Sequence, residues 1–194
     1  MTIPPEVGLL AVVLKDERYR RNIRWGAPRP GHAEGALRAH IAELERNLRQ
    51  LAPRLDPVEI ARLRLLIHTH DAFKPEAKEG VAILDPGNHA SLAAAYLEGL
   101  GAAPSVVAVA QHHDRPYSIR LATRANPDVA GERIESLRAS VPDWDLFVAF
   151  VLVDDATASK RGETSLWFLE QIADSFPSRF GPDDHRLVAG SRPG

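Results

Sequence analysis

Residues 68–75, with the sequence His-Thr-His-Asp-Ala-Phe-Lys-Pro, combine imidazole and carboxylate side chains that could do chemistry. They follow residues 60–67, whose apolar side chains recur at helical spacing. His70 is three residues past Ile67, so it continues the inner face of this helix, with Asp71 beside it. An unpaired carboxylate in the interior is very costly, and a divalent cation held by imidazole nitrogen and carboxylate oxygen would compensate for it. Taken alone, the stretch fits a capped helix end with a hydrogen-bonded histidine better than a metal site.

Other predicted helices also carry polar residues on their apolar faces. His40 lies between Leu37 and Leu44, and His89 lies just before the apolar face that begins at Leu92. Buried polar groups need partners, and a shared metal centre supplies partners to several residues at once. Four histidines and two carboxylates suit Mn, Fe, Co, Ni or Zn, with positions open for water or substrate. The candidate metal ligands, from five predicted helices, are His40, His70, Asp71, His89, His113 and Asp154.

Two of these candidates lie next to a residue of the same type in the chain, and helical phase distinguishes between the members of each pair. His113 is four residues past an inner-facing valine, whereas His112 is rotated away from that side by about 100°. Asp154 is four residues past Phe150, and it fits the buried side of its helix better than Asp155 does. The phase therefore favours His113 and Asp154 as ligands.

Helical apolar spacing, without β-type alternation of useful length, predicts an all-α fold. We expect a single domain over residues 1–194 with its core at about 30–160. Helices at 4–24 and 165–176 are expected to pack on this core, and residues 181–194 to fray. Residues 117–142 are predicted to be polar and irregular, with one amphipathic helix near 130–140. The remaining predictions are helices at 4–14, 33–51, 60–71, 88–99, 104–113 and 143–160, a solvated charged helix face at 15–24, and a loop at 75–86.

The composition excludes several classes of protein. The formal net charge is -2, so no global basic field attracts nucleic acid. Cysteine is absent, which excludes disulfides, thiolate ligands and a cysteine nucleophile and fits a reducing compartment. No apolar run approaches the roughly 20 residues of a membrane span, and the N-terminus lacks the basic stretch of a secretory signal. The sequence therefore predicts a cytoplasmic protein with no membrane partner and no strong nucleic-acid signal, and it leaves the oligomeric state open.

The order of the candidate ligands resembles that of the HD superfamily of metal-dependent phosphohydrolases. Residues 65–74, Leu-Leu-Ile-His-Thr-His-Asp-Ala-Phe-Lys, are similar to the family's central helix, including a lysine three residues after the aspartate. Residues 31–35 resemble the start of the first family helix in the branch found with tRNA nucleotidyltransferases. The resemblance covers about residues 30–160. The sequence departs from the family pattern at the pairs His112/His113 and Asp154/Asp155 and at the long insertion 117–142. The family pattern His … His-Asp … Asp is matched by His40, His70-Asp71 and Asp154, with His89 and His113 similar to the extra histidines of the binuclear branch.

The resemblance implies a metal-dependent phosphoric ester hydrolase built on an HD-domain-like helical bundle. Its core would hold one or two divalent transition metals, and Asp71 would bridge them in the binuclear form. The implied substrate is a nucleotide or another small phosphoester, attacked by a metal-activated water. Lys74 is the first candidate for catalysis and phosphate binding, with Arg115, Arg120 and Lys160 as weaker phosphate-binding candidates, and His32 and Glu34 could line the entrance or relay a proton.

Two other functions use the same residues. The ligand set filled with two irons resembles the myo-inositol oxygenase-like branch, which cleaves C–C or C–P bonds with dioxygen, and the choice of metal decides between the two chemistries. The second alternative is a non-catalytic module that senses a nucleotide and signals to a partner. Elemental analysis and a survey of phosphoesters with Mn²⁺ would discriminate among the three functions.

The sequence offers two candidates for the first histidine of the pattern. His40 lies within a helix whose packing fixes its side chain, whereas His32 follows Pro30-Gly31 at the end of a loop. We therefore expect His40→Ala to lower metal affinity sharply and His32→Ala to slow turnover with the metal retained. Metal titration and steady-state kinetics of both variants check this expectation. Loss of metal from His32→Ala alone would reverse the assignment.

Overall fold

The computed structural model describes residues 3–27, 35–157, 160 and 162–190, and throughout these residues the regular structure is helical. The all-α prediction is confirmed. No helix in this described part of the chain is both long and apolar enough to cross a membrane. The helices are α1 Pro5–Val13, α2 Glu17–Asn22, α3 Leu37–Leu51, α4 Pro57–Thr69, α5 His89–Gly99, α6 Pro104–His112, α7 Arg115–Ala125, α8 Val129–Ser140, α9 Trp144–Asp155, α10 Glu163–Ile172 and α11 Pro182–Ala189, with short 3-10 turns at Ala52–Arg54 and Lys74–Glu76.

Local sequence signals set where the central helices begin. The Asp56 carboxylate accepts hydrogen bonds from the backbone N–H groups of Val58 and Glu59, and the Glu59 carboxylate accepts the N–H of Asp56. This reciprocal capping satisfies N–H groups that a helix start leaves unpaired. Asn88 caps α5 through the N–H of Ala90, and Asp143 caps α9 through the N–H of Leu146.

The core is built around α4 and α9. Helix α9 packs against α3, α4, α6, α10 and α11, and α4 also contacts α1, α3 and α6. Residues Leu146–Val153 of α9 are buried on every side, which identifies a helix surrounded by others. Burial of each large apolar side chain here contributes roughly 1.5–3 kcal/mol. The polar residues that end α4 and α9 are therefore fixed within a packed interior.

Helix α2 is not solvated on all sides, in contrast to the solvated charged helix that the sequence predicts at 15–24. Tyr19 and Asn22 are buried, and Arg18 and Asn22 both bind Glu76 at 2.6 Å. The Arg18 guanidinium, aided by Asn22, lowers the pKa of Glu76 to about 2. Arg18 also lies over the ring of Phe73, 4.5 Å from its centroid. Helix α2 thus fixes the turn that follows His70-Asp71, a role that charge content alone does not indicate.

The structure differs from the predictions for residues 117–125 and 182–189, whereas residues 191–194 lie outside the described part of the chain. Residues 117–125 belong to α7 instead of irregular structure, and Pro116 lies in the first turn of this helix, where its missing N–H costs nothing. Helix α7 has only two buried residues, Pro116 and Ile119, so the apolar periodicity of this helix is weak. Helix α8 matches the predicted helix near 130–140. Residues Pro182–Ala189 form α11 instead of fraying, because Val188 is buried and Asp184 binds Arg54 at 2.9 Å.

One buried side chain joins α3 to the end of α9. The Asn47 amide donates to the carbonyl oxygens of Val153 and Ala156, each at 2.8 Å. These carbonyls flank Asp154 in sequence, so Asn47 holds this part of the helix in place. A buried polar group that loses its partner costs about 1–3 kcal/mol.

We expect Asn47→Ala to reduce the free energy of unfolding by about 2 kcal/mol, because it leaves two buried carbonyls without their donor. Urea denaturation measures the change. Gln50→Ala, at an exposed position of the same helix, is the matched control and should change stability by less than about 0.5 kcal/mol. Equal losses in the two variants would contradict the role assigned to Asn47.

Candidate metal centre

The six candidate ligands meet in the core at the ends of several helices. His70 directly follows α4 and His113 directly follows α6, while His89 begins α5. His70 keeps right-handed helical backbone angles, so it stays in phase with α4 although the helix ends at Thr69. The ligands form two groups, each with donor atoms within 4.8 Å of one another, and these groups are His40, His70 and Asp154, and Asp71, His89 and His113.

The Asp71 carboxylate lies between the two groups. Its Oδ2 is 3.8 Å from Nε2 of His40 and 3.5 Å from Nε2 of His70. Its Oδ1 is 3.5 Å from Nε2 of His89 and 3.6 Å from Nε2 of His113. One carboxylate thus presents one oxygen to each group and could contact a cation held in either of them.

Backbone contacts fix the orientation of two imidazoles. The Nδ1 atoms of His70 and His113 lie 3.0 Å and 2.8 Å from the carbonyl oxygens of Leu66 and Ala110. A carbonyl accepts only, so Nδ1–H donates and the Nε2 atom of each ring faces the centre. Within the described part of the chain, His70 Nε2 and Asp71 Oδ1 are buried without a hydrogen-bond partner. Buried acceptor atoms that face one centre without donors fit a bound metal cation.

The electrostatics keep three of the candidate ligands, Asp71, Asp154 and His70, in metal-binding protonation states. Burial raises the pKa of Asp71, but the Lys74 ammonium 2.6 Å from Oδ2 and the His70 imidazole lower it well below its usual range. Burial likewise raises the pKa of Asp154, and Lys160, also at 2.6 Å, lowers it well below its usual range. Burial lowers the pKa of His70. Ionised carboxylates and neutral imidazoles are the forms that bind metals.

Asp114 is a candidate functional residue that the sequence analysis missed. Its Oδ2 lies 3.2 Å from Nε2 of His89, and its Oδ1 lies 3.6 Å from Nε2 of His113. Although burial lowers the pKa of His113, Asp114 and Asp71 raise it to about 9. Asp114 therefore faces the same two imidazoles as Asp71 Oδ1 and could act as a further carboxylate ligand. Its position directly after His113 was the available signal, but the sequence placed it at a helix end without a role.

Asp155 and His112, which directly adjoin the candidate ligands Asp154 and His113, have other contacts. Asp155 Oδ2 accepts hydrogen bonds from the backbone N–H and the hydroxyl of Ser165, at 2.7 and 3.0 Å. Asp155 therefore holds the first turn of α10, and burial raises its pKa. His112 is buried and belongs to neither group, and burial together with the charge of Arg115 lowers its pKa. The groups contain His113 and Asp154, as helical phase predicts.

A cavity of about 590 Å³ opens beside the two groups. Lys74 and Lys160 lie on its wall together with Arg120, His113 and Asp154. Arg115 begins α7 and is not among the described residues that line this cavity. His32 and Glu34 lie outside the described residues, so their predicted roles at the entrance stay predictions.

The phenyl ring of Phe150 closes the apolar side of the centre. It contacts the imidazole of His70 edge-on at 5.1 Å between centroids and that of His113 at 6.3 Å. Phe150 comes from the buried helix α9, one turn before Asp154. The same helix thus provides a carboxylate and the apolar surface on which two imidazoles rest.

These residues define an all-α protein whose core contains two buried His/Asp groups that could hold a metal ion. Comparison of the chain with protein-family models, with curated proteins and with solved structures gives no match. The function proposed below rests on the residues of the site and on the sequence resemblance.

The shared position of Asp71 leads to a prediction about metal content. Asp71→Asn should lower metal content at both groups, because one oxygen faces each of them, whereas Asp154→Asn should affect one group. Asp155→Asn and His112→Ala should retain more metal than Asp154→Asn and His113→Ala, respectively. Elemental analysis of purified proteins measures this, with circular dichroism as the control for folding. Equal or reversed losses within the matched pairs would contradict the assignment of the ligands.

Proposed function

We propose that the protein is a metal-dependent phosphohydrolase of the HD superfamily, acting on a nucleotide or another small phosphoester. The observation that carries the proposal is the Asp71 carboxylate, shared by two His/Asp groups beside a cavity with lysines on its wall. The order of these ligands along the chain supports it, since it resembles that of the family. Imidazole and carboxylate donors without thiolates suit Mn, Fe, Co, Ni or Zn.

The ligands proposed for one or two divalent transition metals are His40, His70 and Asp154 in one group and Asp71, His89 and His113 in the other. When bound, such metals activate water and neutralise phosphoryl charge. Buried His70 and His113 stay oriented through their Nδ1–H bonds to backbone, and Phe150 excludes water from their apolar side.

The lysines provide the second part of the proposed reaction. Lys74 and Lys160 are partly exposed on the cavity wall, with 26% and 33% of their side chains accessible. Each ammonium group is a point charge with three donors, which suits the oxygens of a phosphate group. They neutralise the charge of the bound phosphate, and Arg120 is a further candidate from the same wall. His32 and Glu34 keep their proposed role as entrance or proton-relay residues.

An oxygenase that contains two irons is the second candidate function. The carboxylate shared by two groups with four imidazoles also suits an iron pair that activates dioxygen. The two functions differ in their co-substrate, since one consumes water and the other consumes dioxygen. This difference can be measured directly.

We expect chelator treatment to abolish phosphate release from a panel of nucleotides and small phosphoesters, and Mn²⁺, Co²⁺ or Ni²⁺ to restore it. Lys74→Gln should lower kcat/KM on the order of 100-fold, because it removes a cation next to the developing charge. Lys78→Gln, an exposed lysine in the adjacent loop, is the matched control and should retain activity. Phosphate release and oxygen uptake are measured on the same samples.

Oxygen consumption with an organic substrate, combined with no hydrolysis across the panel, would replace the proposal with the oxygenase function. Hydrolysis that persists in Asp71→Asn after chelation would show that the site does not perform the reaction.

A further inference from the structure

One face of α7 runs along the cavity away from the metal centre. Tyr117, Arg120 and Arg124 all line the cavity and follow one another at spacings of three and four residues, so they share a helix face. Asp114, directly before α7, lines the same cavity and contacts the imidazoles of the centre. Arg124 is ten residues past Asp114, which corresponds to about 15 Å along a helix axis. The cavity therefore extends from the centre to a basic end formed by Arg120 and Arg124, and Arg124 has no role in the proposed reaction.

Arg120 is held in place at this basic end. Its Nη2 lies 3.1 Å from Oε2 of Glu163, and its Nη1 lies 3.4 Å from the hydroxyl oxygen of Thr164 on α10. A guanidinium has five N–H donors, and these two contacts use only part of that capacity. Arg120 thus presents a fixed charge-assisted donor at the wall of the cavity.

Arg124 differs from the other cations of the cavity wall. Lys74, Lys160 and Arg120 are paired with Asp71, Asp154 and Glu163. Among the residues that the structure describes, no carboxylate pairs with Arg124, which is exposed. This arginine is available for an anionic ligand.

The charge balance of the cavity favours a ligand with two anionic groups. Metal ions bound at the centre would neutralise Asp71 and Asp154, and the ammonium groups of Lys74 and Lys160 would then need another anion. A single phosphate monoester carries a charge of about −1.5 to −2 near neutral pH. One such group at the centre leaves Arg124 without an anion, and it leaves the Arg120 donors that do not bind Glu163 or Thr164 without a ligand. A volume of about 590 Å³ falls within the range of small-molecule sites.

We propose that the end of the cavity formed by Arg120 and Arg124 is a second anion-binding subsite, and that the substrate is a small phosphoester carrying a second phosphate group remote from the one that is hydrolysed. The reaction part rests on the proposed phosphohydrolase function, whereas the subsite rests on the cavity alone. Tyr117 lies between the two ends and contacts the part of the ligand that joins the phosphates.

The first test compares hexane-1,6-diol bisphosphate with 6-hydroxyhexyl phosphate as substrates of the Mn²⁺-loaded protein. The bisphosphate should have a kcat/KM higher by about 10–100-fold, as expected for an added charge-assisted contact. Arg124→Gln should remove most of this preference and leave turnover of the monophosphate unchanged. Arg133→Gln, an exposed arginine on α8 outside the cavity lining, is the matched control and should keep the preference.

The second test measures binding without turnover, by calorimetry with octane-1,8-bisphosphonate and 8-hydroxyoctylphosphonate. Tighter binding of the bisphosphonate to wild type but not to Arg124→Gln supports the subsite even if no phosphoester is hydrolysed. Equal affinity of the two probes for wild type would overturn the subsite, whereas release of phosphate from the monophosphate would still uphold the hydrolase. Tighter binding of 9-phosphonononanoate than of the bisphosphonate would overturn the assignment of the second group as phosphate.

Discussion

The structure depends on how one buried carboxylate is compensated. Asp71 is 6% exposed and faces four imidazoles from four parts of the chain. A buried charge of this kind is tolerated only with excellent pairing. The pairing requires α3, α4, α5 and α6 to converge at one point, so the packing of the core and the geometry of the centre are the same constraint. Loss of one partner therefore affects both stability and the site.

Three helix C-termini contribute a field that would favour a cation at the centre. Helices α4, α6 and α9 all end beside the centre, at or next to His70, His113 and Asp154. Helix C-termini carry partial negative charge and favour cations within their last turn. The carbonyls of Leu66 and Ala110 near two of these ends also accept the Nδ1–H bonds that orient the imidazoles. The same backbone groups thus contribute a favourable field and fix the direction of the donor atoms.

Periodicity predicts much of this arrangement because apolar spacing records which face of a helix is buried. It assigned His113 over His112 and Asp154 over Asp155, in agreement with the two His/Asp groups. It failed for Asp114, since a residue between two helices belongs to no periodic face. It also fails for α7, because a helix at the edge of a cavity buries few apolar residues and carries polar ones toward the cavity. Periodicity therefore misses Asp114 and α7 because they face the cavity instead of the core.

The two lysines lie between the candidate metal ligands and the cavity, where they would link metal binding to anion binding in the proposed function. Each ammonium group lies 2.6 Å from a ligand carboxylate, so Lys74 and Lys160 supply the positive charge that Asp71 and Asp154 need in the absence of another cation. Both lysines also lie on the cavity wall. A metal that neutralises the carboxylates weakens the hold of these carboxylates on the lysines, and the ammonium charge becomes available to an anion in the cavity. Under the proposed function, binding of metal and binding of anion would therefore favour each other, and by linkage the free-energy coupling would be the same in both directions.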